Sequence, residues 1–362
     1  MRYFWVVFGM LLLFSAAAPA QEEAENEVEE PSISYPRLDL GGHIQIQLDG
    51  GGLGAAREEG GPPVRNGIGS FSTNSRISPR RLRLYANAYF AENVSIVTET
   101  DFEPDGFEQA DIEITPLDLY LKWDYAEGHH FRIGQAKLPF GYEFLRSSRT
   151  LTTVERSDTS RLYYQRDIGI GAYGEQGDFE YGIGVYQGQG ENNAERNGSN
   201  DFVARLAYQV TPQFRIGSSG HLGTIRPDGS PDDMAVRRVG LEALYQNGPW
   251  ILESELILSD GFNLFSQAET PALGYYIYGV RRLQDSLDAV VGYDRLDPDT
   301  DGKNSLRSDT RMNDRDRYTV GLNYYFSRDP IHRIMVNYEF RNELEGPSAS
   351  GSGIRLRYQF VW

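Results

Sequence analysis

The last ten residues of the chain, Gly353 to Trp362, constrain the fold most strongly because apolar and polar side chains alternate along them. One face of an extended strand would carry Ile354, Leu356, Tyr358, Phe360 and Trp362, and the other would carry Arg355, Arg357 and Gln359. A side-chain period of two predicts a β-strand with one apolar and one cationic face. Such a strand, ending in an aromatic residue, is typical of a bacterial outer-membrane barrel, whose outer face meets lipid and whose inner face meets water. A strand of a soluble β-sandwich would alternate in the same way.

The N-terminus has the pattern of a secretory signal peptide. Arg2 is followed by an apolar run from Tyr3 to Phe14, and the small residues Ala18 and Ala20 form an A-x-A cleavage site. The run is too short to cross a bilayer as a helix, which argues against an uncleaved anchor. We therefore predict a signal peptide over residues 1–20 and a mature chain that leaves the cytoplasm.

An acidic segment follows the signal peptide. Six of the nine residues from Glu22 to Glu30 are Glu, and Pro31 and Pro36 lie beyond them. Because such a segment repels itself and has little apolar surface to bury, residues 21–36 are predicted to be a disordered tether. The folded domain, a transmembrane β-barrel, is then expected over residues 37–362.

The composition of the mature chain is compatible with a membrane barrel. The chain has no Cys, and no later apolar run is as long as a membrane helix. An exported chain without disulfides must be held together by other means, and a closed, hydrogen-bonded barrel would do this. The 23 Tyr and 18 Phe residues could supply the aromatic girdles at the two membrane interfaces.

The charge of the chain restricts its partners. The net charge is −17, which argues against nucleic acid as a partner because the overall field repels phosphate. Only Lys122, Lys137 and Lys303 are lysines, so the remaining basic side chains are arginines. An arginine keeps its charge and presents a planar fork of donors to oxyanions.

Turn-forming residues divide the chain from Leu38 onward into sixteen predicted strands. Seven short turns carry Gly, Pro, Asn or Asp at points that need special backbone angles, and eight longer connections alternate with them. The short turns lie near residues 91–93, 126–128, 176–178, 211–212, 247–249, 282–286 and 328–330. The longer connections lie near residues 49–79, 104–112, 139–166, 188–200, 224–236, 260–272, 295–315 and 342–352. An even strand number, with short turns at one rim and long loops at the other, is the bacterial pattern.

The predicted fold class is therefore all-β, a transmembrane antiparallel β-barrel of sixteen strands. Its charged strand faces must turn inward, because a charge on the lipid side near the midplane costs roughly 2–4 kcal/mol. On the second strand, Leu82 and Leu84 would face lipid, and Arg81 and Arg83 would face the lumen. A barrel of this size leaves an aqueous channel. A soluble β-sandwich is the alternative, but the predicted strands are too many for one sandwich.

The connection at 139–166 differs from the others in length and charge. Pro139 and Gly141 end the strand before it, since proline cannot donate to the strand ladder and glycine loosens it. A long loop without strand alternation in a compact protein is usually functional or disordered, and the many Arg, Tyr, Leu and Thr residues favour an ordered loop. It carries five arginines and three acids: Arg146, Arg149, Arg156, Arg161, Arg166, Glu143, Glu155 and Asp158.

Several motifs in and around this connection resemble the phosphate-selective porins O and P of Gram-negative outer membranes. The motifs are R-I-G-Q-x-K-x-P-F-G-x-E at 132–143, S-S at 147–148, E-R at 155–156, R-D-I-G at 166–169 and the pair Arg80-Arg81. The resemblance covers most of the mature chain and is strongest over 80–175. It implies a sixteen-strand homotrimeric barrel in the lipid bilayer of the outer membrane. It also implies that the third extracellular loop, here at about 140–166, folds inward as a constriction.

Basic side chains near this loop are the candidate site residues. Arginines in a constriction raise the local anion concentration and replace part of an anion's hydration shell. The candidates for pore constriction and anion binding are Arg146, Arg149, Arg156, Arg161, Arg166, Lys137, Arg132, Arg81 and Arg83. Arg205 and Arg355 are further candidates on the barrel wall. For each arginine, the alternative is an ion pair that holds the loop to the wall.

Two further features of the sequence point only weakly to a site. The segment from Asp297 to Gly302 has the D-x-D-x-D-G spacing of a calcium loop, but its twelfth position is Ser308 rather than Glu, which favours a solvated turn. The five histidines show no metal-type spacing, and no catalytic motif is present.

We therefore predict a passive outer-membrane channel for small anionic solutes such as phosphate or polyphosphate, with no cofactor and no enzymatic activity. Two alternatives stay open. One is a weakly selective general porin, because phosphate selectivity in the family is associated with lysine-rich pores and because acids such as Glu99, Glu253 and Glu255 also face the predicted lumen. The other is a non-conducting barrel for surface attachment or lipid modification.

Overall fold

A computed structural model of the chain describes residues 34–51, 76–103, 113–302, 314–344 and 351–362. The predicted signal peptide, and the acidic segment as far as residue 33, lie outside these residues. One compact unit extends from Pro36 to Trp362.

Sixteen antiparallel strands form a closed barrel. Each strand pairs with its neighbours around the ring, and the last strand pairs with the first, so the ring has no open edge. The strands of the ring are β1 (Arg37–Gly51), β2 (Arg76–Ala91), β3 (Val94–Glu103), β4 (Glu113–Ala126), β5 (His129–Lys137), β6 (Arg166–Gln176), β7 (Phe179–Tyr186), β8 (Asp201–Thr211), β9 (Phe214–Ile225), β10 (Met234–Asn247), β11 (Trp250–Asn263), β13 (Ala272–Gln284), β14 (Leu287–Asp297), β15 (Arg315–Arg328), β16 (Ile331–Glu343) and β17 (Gly351–Val361). A two-residue strand outside the ring, β12 (Ala268–Glu269), pairs with the end of β11. The predicted all-β, sixteen-strand barrel is confirmed.

The connections between strands differ sharply at the two rims. All seven turns at one rim have two residues, and the eight connections at the other rim are longer, as predicted. Three of the short turns contain a glycine in the left-handed region, for example Gly177 with φ 61°. β1 begins and β17 ends toward the short-turn rim, where the backbone amide of Trp362 donates to the Gly42 carbonyl at 3.1 Å.

The two faces of the strands carry different chemistry. On β17, Arg357 is fully buried, whereas its neighbour on the outer face, Leu356, is 38% exposed. The same division holds on β2 and β11, where Arg81 and Glu253 are buried and apolar side chains such as Leu84 are exposed. The predicted arrangement, apolar outside and charged inside, is therefore present in these strands.

Two short 3-10 helices, Ser148–Thr150 and Asp158–Arg161, lie in the long connection between β5 and β6. No helix among the residues described is long and apolar enough to span a bilayer.

Candidate functional site in the barrel lumen

The connection between β5 and β6, residues 138–165, is packed against the inner wall; we call it the third loop. Its apolar side chains form a buried cluster with side chains of the wall. The cluster includes Leu138, Phe140, Phe144 and Leu162 of the loop, and Val203, Ile257 and Leu296 of β8, β11 and β14. These wall residues share their strand faces with Arg205, Glu255 and Asp294, which are buried as well. The packing therefore holds the third loop by apolar burial on the lumen side.

A turn at Gly141 lets two backbone amides bind a buried carboxylate. Gly141 has φ 71°, which favours glycine, and a Cβ at this position would collide with Oε1 of Glu255. The amides of Tyr142 and Glu143 donate to the Glu255 carboxylate at 2.9 and 3.1 Å. The Gly141 amide donates to Ser219 Oγ at 3.2 Å. The P-F-G-x-E motif thus fixes the start of the third loop to β9 and β11.

A second buried carboxylate connects the two halves of the third loop. Glu143 accepts hydrogen bonds from the Ser157 amide at 3.0 Å and from the Ser157 hydroxyl at 2.5 Å. Burial raises the pKa of Glu143 to about 7, although these hydrogen bonds and the nearby Arg156 guanidinium favour the ionised form. The third loop therefore contains a carboxyl group that titrates near neutral pH.

Glu155, near the middle of the third loop, is held by arginines of the wall. It accepts hydrogen bonds from Arg80 Nε at 2.8 Å and from Arg357 Nη2 at 2.7 Å, and Arg81 Nη2 lies 3.7 Å away. Burial disfavours the charged form, but the three guanidinium groups outweigh it and hold the pKa of Glu155 well below its usual value. This contact attaches the loop to β2 and β17.

Further contacts attach the third loop to strands of the same side. Asp158 accepts a hydrogen bond from Arg315 Nε of β15 at 3.0 Å. Side-chain amides of the wall also bond the loop backbone: Gln45 to Ser148, Asn323 to Thr152, Asn337 to Val154 and Gln359 to Arg149. These partners lie on β1 and β15–β17, and β1 lies eight strands from β9 in the ring of sixteen, so the third loop contacts widely separated parts of the inner wall.

Five of the nine predicted site residues make ion pairs with carboxylates. The pairs are Arg81–Glu155 (3.7 Å), Arg83–Asp101 (2.6 Å), Arg146–Glu253, Arg161–Asp158 (3.9 Å) and Arg166–Asp118 (2.8 Å). The wall arginines Arg205 and Arg355 are paired too, with Glu242 at 2.6 Å and Glu339 at 3.1 Å. At these positions a neighbouring carboxylate offsets the positive charge, least at Arg161, whose 3.9 Å pair is the longest and which is the most exposed, and this fits the bracing interpretation for the others.

The other four predicted residues, Lys137, Arg156, Arg149 and Arg132, make no ion pair within the described part of the chain; we call them the unpaired cations. Lys137 Nζ donates to the backbone carbonyls of residues 144, 145 and 146 at 3.0 to 3.2 Å. Arg156 Nη2 donates to the Arg146 carbonyl at 3.1 Å. These partners are uncharged, so no carboxylate among the described residues forms an ion pair with either side chain.

The two remaining unpaired cations stack on tyrosine rings of the wall. The Arg149 guanidinium lies 4.7 Å from the centre of the Tyr85 ring, and Arg149 Nε donates to Ser147 Oγ at 3.0 Å. The Arg132 guanidinium lies 4.1 Å from the centre of the Tyr173 ring. A ring face stabilises a cation without neutralising it, so these positions also keep a net positive charge.

Sequence reasoning missed several arginines that hold the third loop. Arg80 and Arg357 bind Glu155, Arg333 Nη2 donates to the Arg149 carbonyl at 2.9 Å, and Arg317 Nη2 donates to the Arg156 carbonyl at 2.8 Å. Arg80 belongs to a quoted motif, and Arg357 lies on a predicted lumen face. Their alternation pattern was visible, but their partners in the third loop were not.

The structure gives no ligand set for a metal ion. Among the residues it describes, no group of three or more His, Asp or Glu side chains could hold one. In the segment from Asp297 to Gly302, for which a solvated turn was expected, the Asp299 amide donates to Asp297 Oδ1 at 3.1 Å, and Ser308 lies outside the described residues.

Comparisons with known proteins agree with this architecture. Residues 64–226 match the family of phosphate-selective porins O and P. The outer membrane channel DcaP of Acinetobacter baumannii is 12% identical, with a TM-score of 0.66 over 90% of this chain and 97% of that one. OmpF of Salmonella typhi is 13% identical, with a TM-score of 0.61 over 90% and 98% of the two chains. A trimer form of Vibrio cholerae OmpT is 11% identical, with a TM-score of 0.58 over 91% and 100%.

At these identities the solved structures establish the fold alone, and a comparison with curated proteins gave no match. The family match and the fold are those of outer-membrane channels. Residues 64–226 therefore match the family of phosphate-selective porins O and P, the sixteen-strand barrel has the fold of outer-membrane porins, and together they support an outer-membrane channel.

Proposed function

We propose that the protein is a passive diffusion channel for small anions and that the unpaired cations set its anion preference. The observation that carries the proposal is the contrast between paired and unpaired basic residues around the third loop. Paired arginines are neutralised by neighbouring carboxylates, whereas Arg132, Lys137, Arg149 and Arg156 have uncharged partners. Burial lowers the pKa of Arg156 to about 10, which leaves it charged at neutral pH.

Uncompensated charge in a narrow passage favours ions of the opposite sign. A guanidinium or ammonium group raises the local anion concentration, and its N–H donors replace water around an anion that loses hydration. The effect is stronger in a partly desolvated lumen than in bulk water, because screening is weaker there. Arg132, Arg149 and Arg156 are half-buried, so they keep some access to solvent.

The paired arginines have a different role in this proposal. Arg146, Arg166 and Arg83 hold carboxylates in place and keep the third loop and the wall in a fixed geometry. Breaking a buried pair leaves one uncompensated charge, which is strongly unfavourable. In this proposal the paired arginines fix the shape of the passage, and the unpaired cations give the passage a net positive charge.

The solute and the assembly are also proposals. The family name suggests phosphate, but the chain has only three lysines, so we propose a general preference for small anions that includes phosphate and polyphosphate. OmpT of Vibrio cholerae was solved in a trimer form, and the resemblance implies a homotrimer here. We infer a channel rather than an enzyme, since the family and the fold are those of channels.

The first experiment is reconstitution of the purified full chain in planar lipid bilayers. Discrete conductance steps in KCl are expected, and added phosphate should reduce the chloride current if both anions use the same passage. A correctly folded barrel that never conducts would contradict the proposal and favour the non-conducting alternative.

A further inference from the structure

A small cavity lies among three loops on the long-loop side of the barrel. It has a volume of about 320 Å³ and is lined by Arg161 and residues 163–165 of the third loop, by Glu191 after β7, and by Leu264 and Phe265 after β11. A cavity of this size falls at the lower end of the range for small-molecule sites. It is separate from the four unpaired cations, none of which lines it.

Arg161 provides the cavity with an available cationic group. Its side chain is 57% exposed, and its guanidinium donates no hydrogen bond to a side chain or carbonyl in the described part of the chain. Its one ion pair, with Asp158 Oδ1, is 3.9 Å long. The other carboxylate oxygen of Asp158 is already bound by Arg315 at 3.0 Å and approached by Arg341 at 3.7 Å. Asp158 therefore neutralises Arg161 only weakly.

Aromatic and aliphatic side chains form the rest of the wall. The Phe265 ring lies 5.6 Å from the Arg161 guanidinium carbon and belongs to the buried cluster that holds the third loop. The Tyr164 ring is stacked on Phe262, with the ring centres 6.2 Å apart and the planes 10° from parallel. Leu264 completes the apolar surface. The rings are thus held in place and offer flat contact area beside a guanidinium.

The lining of the cavity also contains one carboxylate. Glu191 lines the cavity, and its Oε2 atom lies 3.7 Å from Arg166 Nη1. This carboxylate disfavours ligands with several negative charges and leaves the Arg161 side as the favourable place for one carboxylate. An inorganic anion such as phosphate would also leave the apolar surface of Phe265 and Leu264 uncovered.

We propose that this cavity is a capture site for small aromatic monocarboxylates at the channel entrance. The carboxylate binds the Arg161 guanidinium through charge-assisted hydrogen bonds, and the ring lies against Phe265 and Tyr164. The proposal goes beyond anion conduction, because binding here requires neither an open passage nor selectivity from the unpaired cations.

Equilibrium binding to the full-length barrel in detergent tests the site without a conductance measurement. Isothermal titration with benzoate, acetate, phosphate and phenylalanine should give measurable binding for benzoate and at least about tenfold weaker binding for the other three. The substitution Arg161→Gln should weaken benzoate binding about tenfold, and Arg161→Lys, which keeps the charge but loses the planar fork, should weaken it less.

The matched control is Arg281→Gln, which removes an exposed arginine that stacks on Trp250 on the outer face. Its benzoate affinity should equal that of the unchanged protein. A heat-induced shift in electrophoretic mobility verifies that each variant is folded. Equal affinity for benzoate and acetate, tighter binding of phenylalanine, or a folded Arg161→Gln variant with unchanged benzoate affinity would each overturn the proposal.

Discussion

Glu155 of the third loop and Arg80 of β2 form a two-point ion pair, with Nε–Oε1 at 2.8 Å and Nη2–Oε2 at 3.3 Å. Arg357 of β17 donates to the same carboxylate, so one loop residue joins two strands. In the closed barrel, β1 lies between these two strands and pairs with both. The ion pair is therefore a point where barrel closure and loop position depend on each other.

Removing the Glu155 charge should loosen the third loop. Glu155→Gln removes the charged carboxylate that Arg80, Arg81 and Arg357 share, and we expect a loss of roughly 2–3 kcal/mol of loop attachment. Single-channel recordings should then show more frequent transitions between conductance levels. Glu180→Gln is the control, because Glu180 pairs with Arg205 and Arg215 of the wall and not with the loop. If the two variants show the same low frequency of transitions between conductance levels, Glu155 does not hold the loop.

The glycine at the start of the third loop should resist substitution. Gly141→Ala puts a Cβ against the Glu255 carboxylate in a left-handed backbone conformation, and a cost of about 2–3 kcal/mol is expected. Thermal unfolding in detergent measures the effect. Gly177→Ala is a matched control, since Gly177 also has positive φ but has open space around its Cβ position. Its cost should be only about 1 kcal/mol, and equal losses in the two variants would contradict the packing described for the loop.

Attachment of the third loop should weaken as the pH rises. Glu143 has a pKa of about 7 in the docked loop and its usual value near 4.5 when exposed, so the docked loop binds the proton more tightly. The resulting stabilisation is complete below about pH 4.5 and is lost as the pH rises through about 7. Glu155 and Asp158 do not titrate in this window, because arginines hold the pKa of each well below its usual value.

Limited proteolysis of the third loop at pH 5 and pH 8 is a direct measurement of this pH dependence. Cleavage should be faster at pH 8 in the unchanged protein, and Glu143→Gln should remove most of the difference. A pH dependence that persists in full in the variant would assign it to another group.

Much of the fold was predictable because its pattern is local. Alternation along β17 is imposed by the strand backbone, and the two-residue turns carry Gly, Pro, Asn or Asp at their bends. The arrangement of the site was less predictable. Glu155 and Arg357 are separated by 202 positions, and nothing in their spacing indicates that they meet. The distinction between paired arginines and the unpaired cations depends on such long-range contacts, so composition alone identified the candidates without separating their roles.

The zero-current potential across a planar bilayer with a KCl gradient tests the central claim most directly. Our account predicts that the dilute side becomes negative, because chloride crosses more readily than potassium. Replacing two unpaired cations, in the double variant Arg149→Gln and Arg156→Gln, should move the potential toward zero by at least half, whereas Arg281→Gln should leave it unchanged. A positive potential on the dilute side of the unchanged protein, or a double variant with the original potential, would contradict the account.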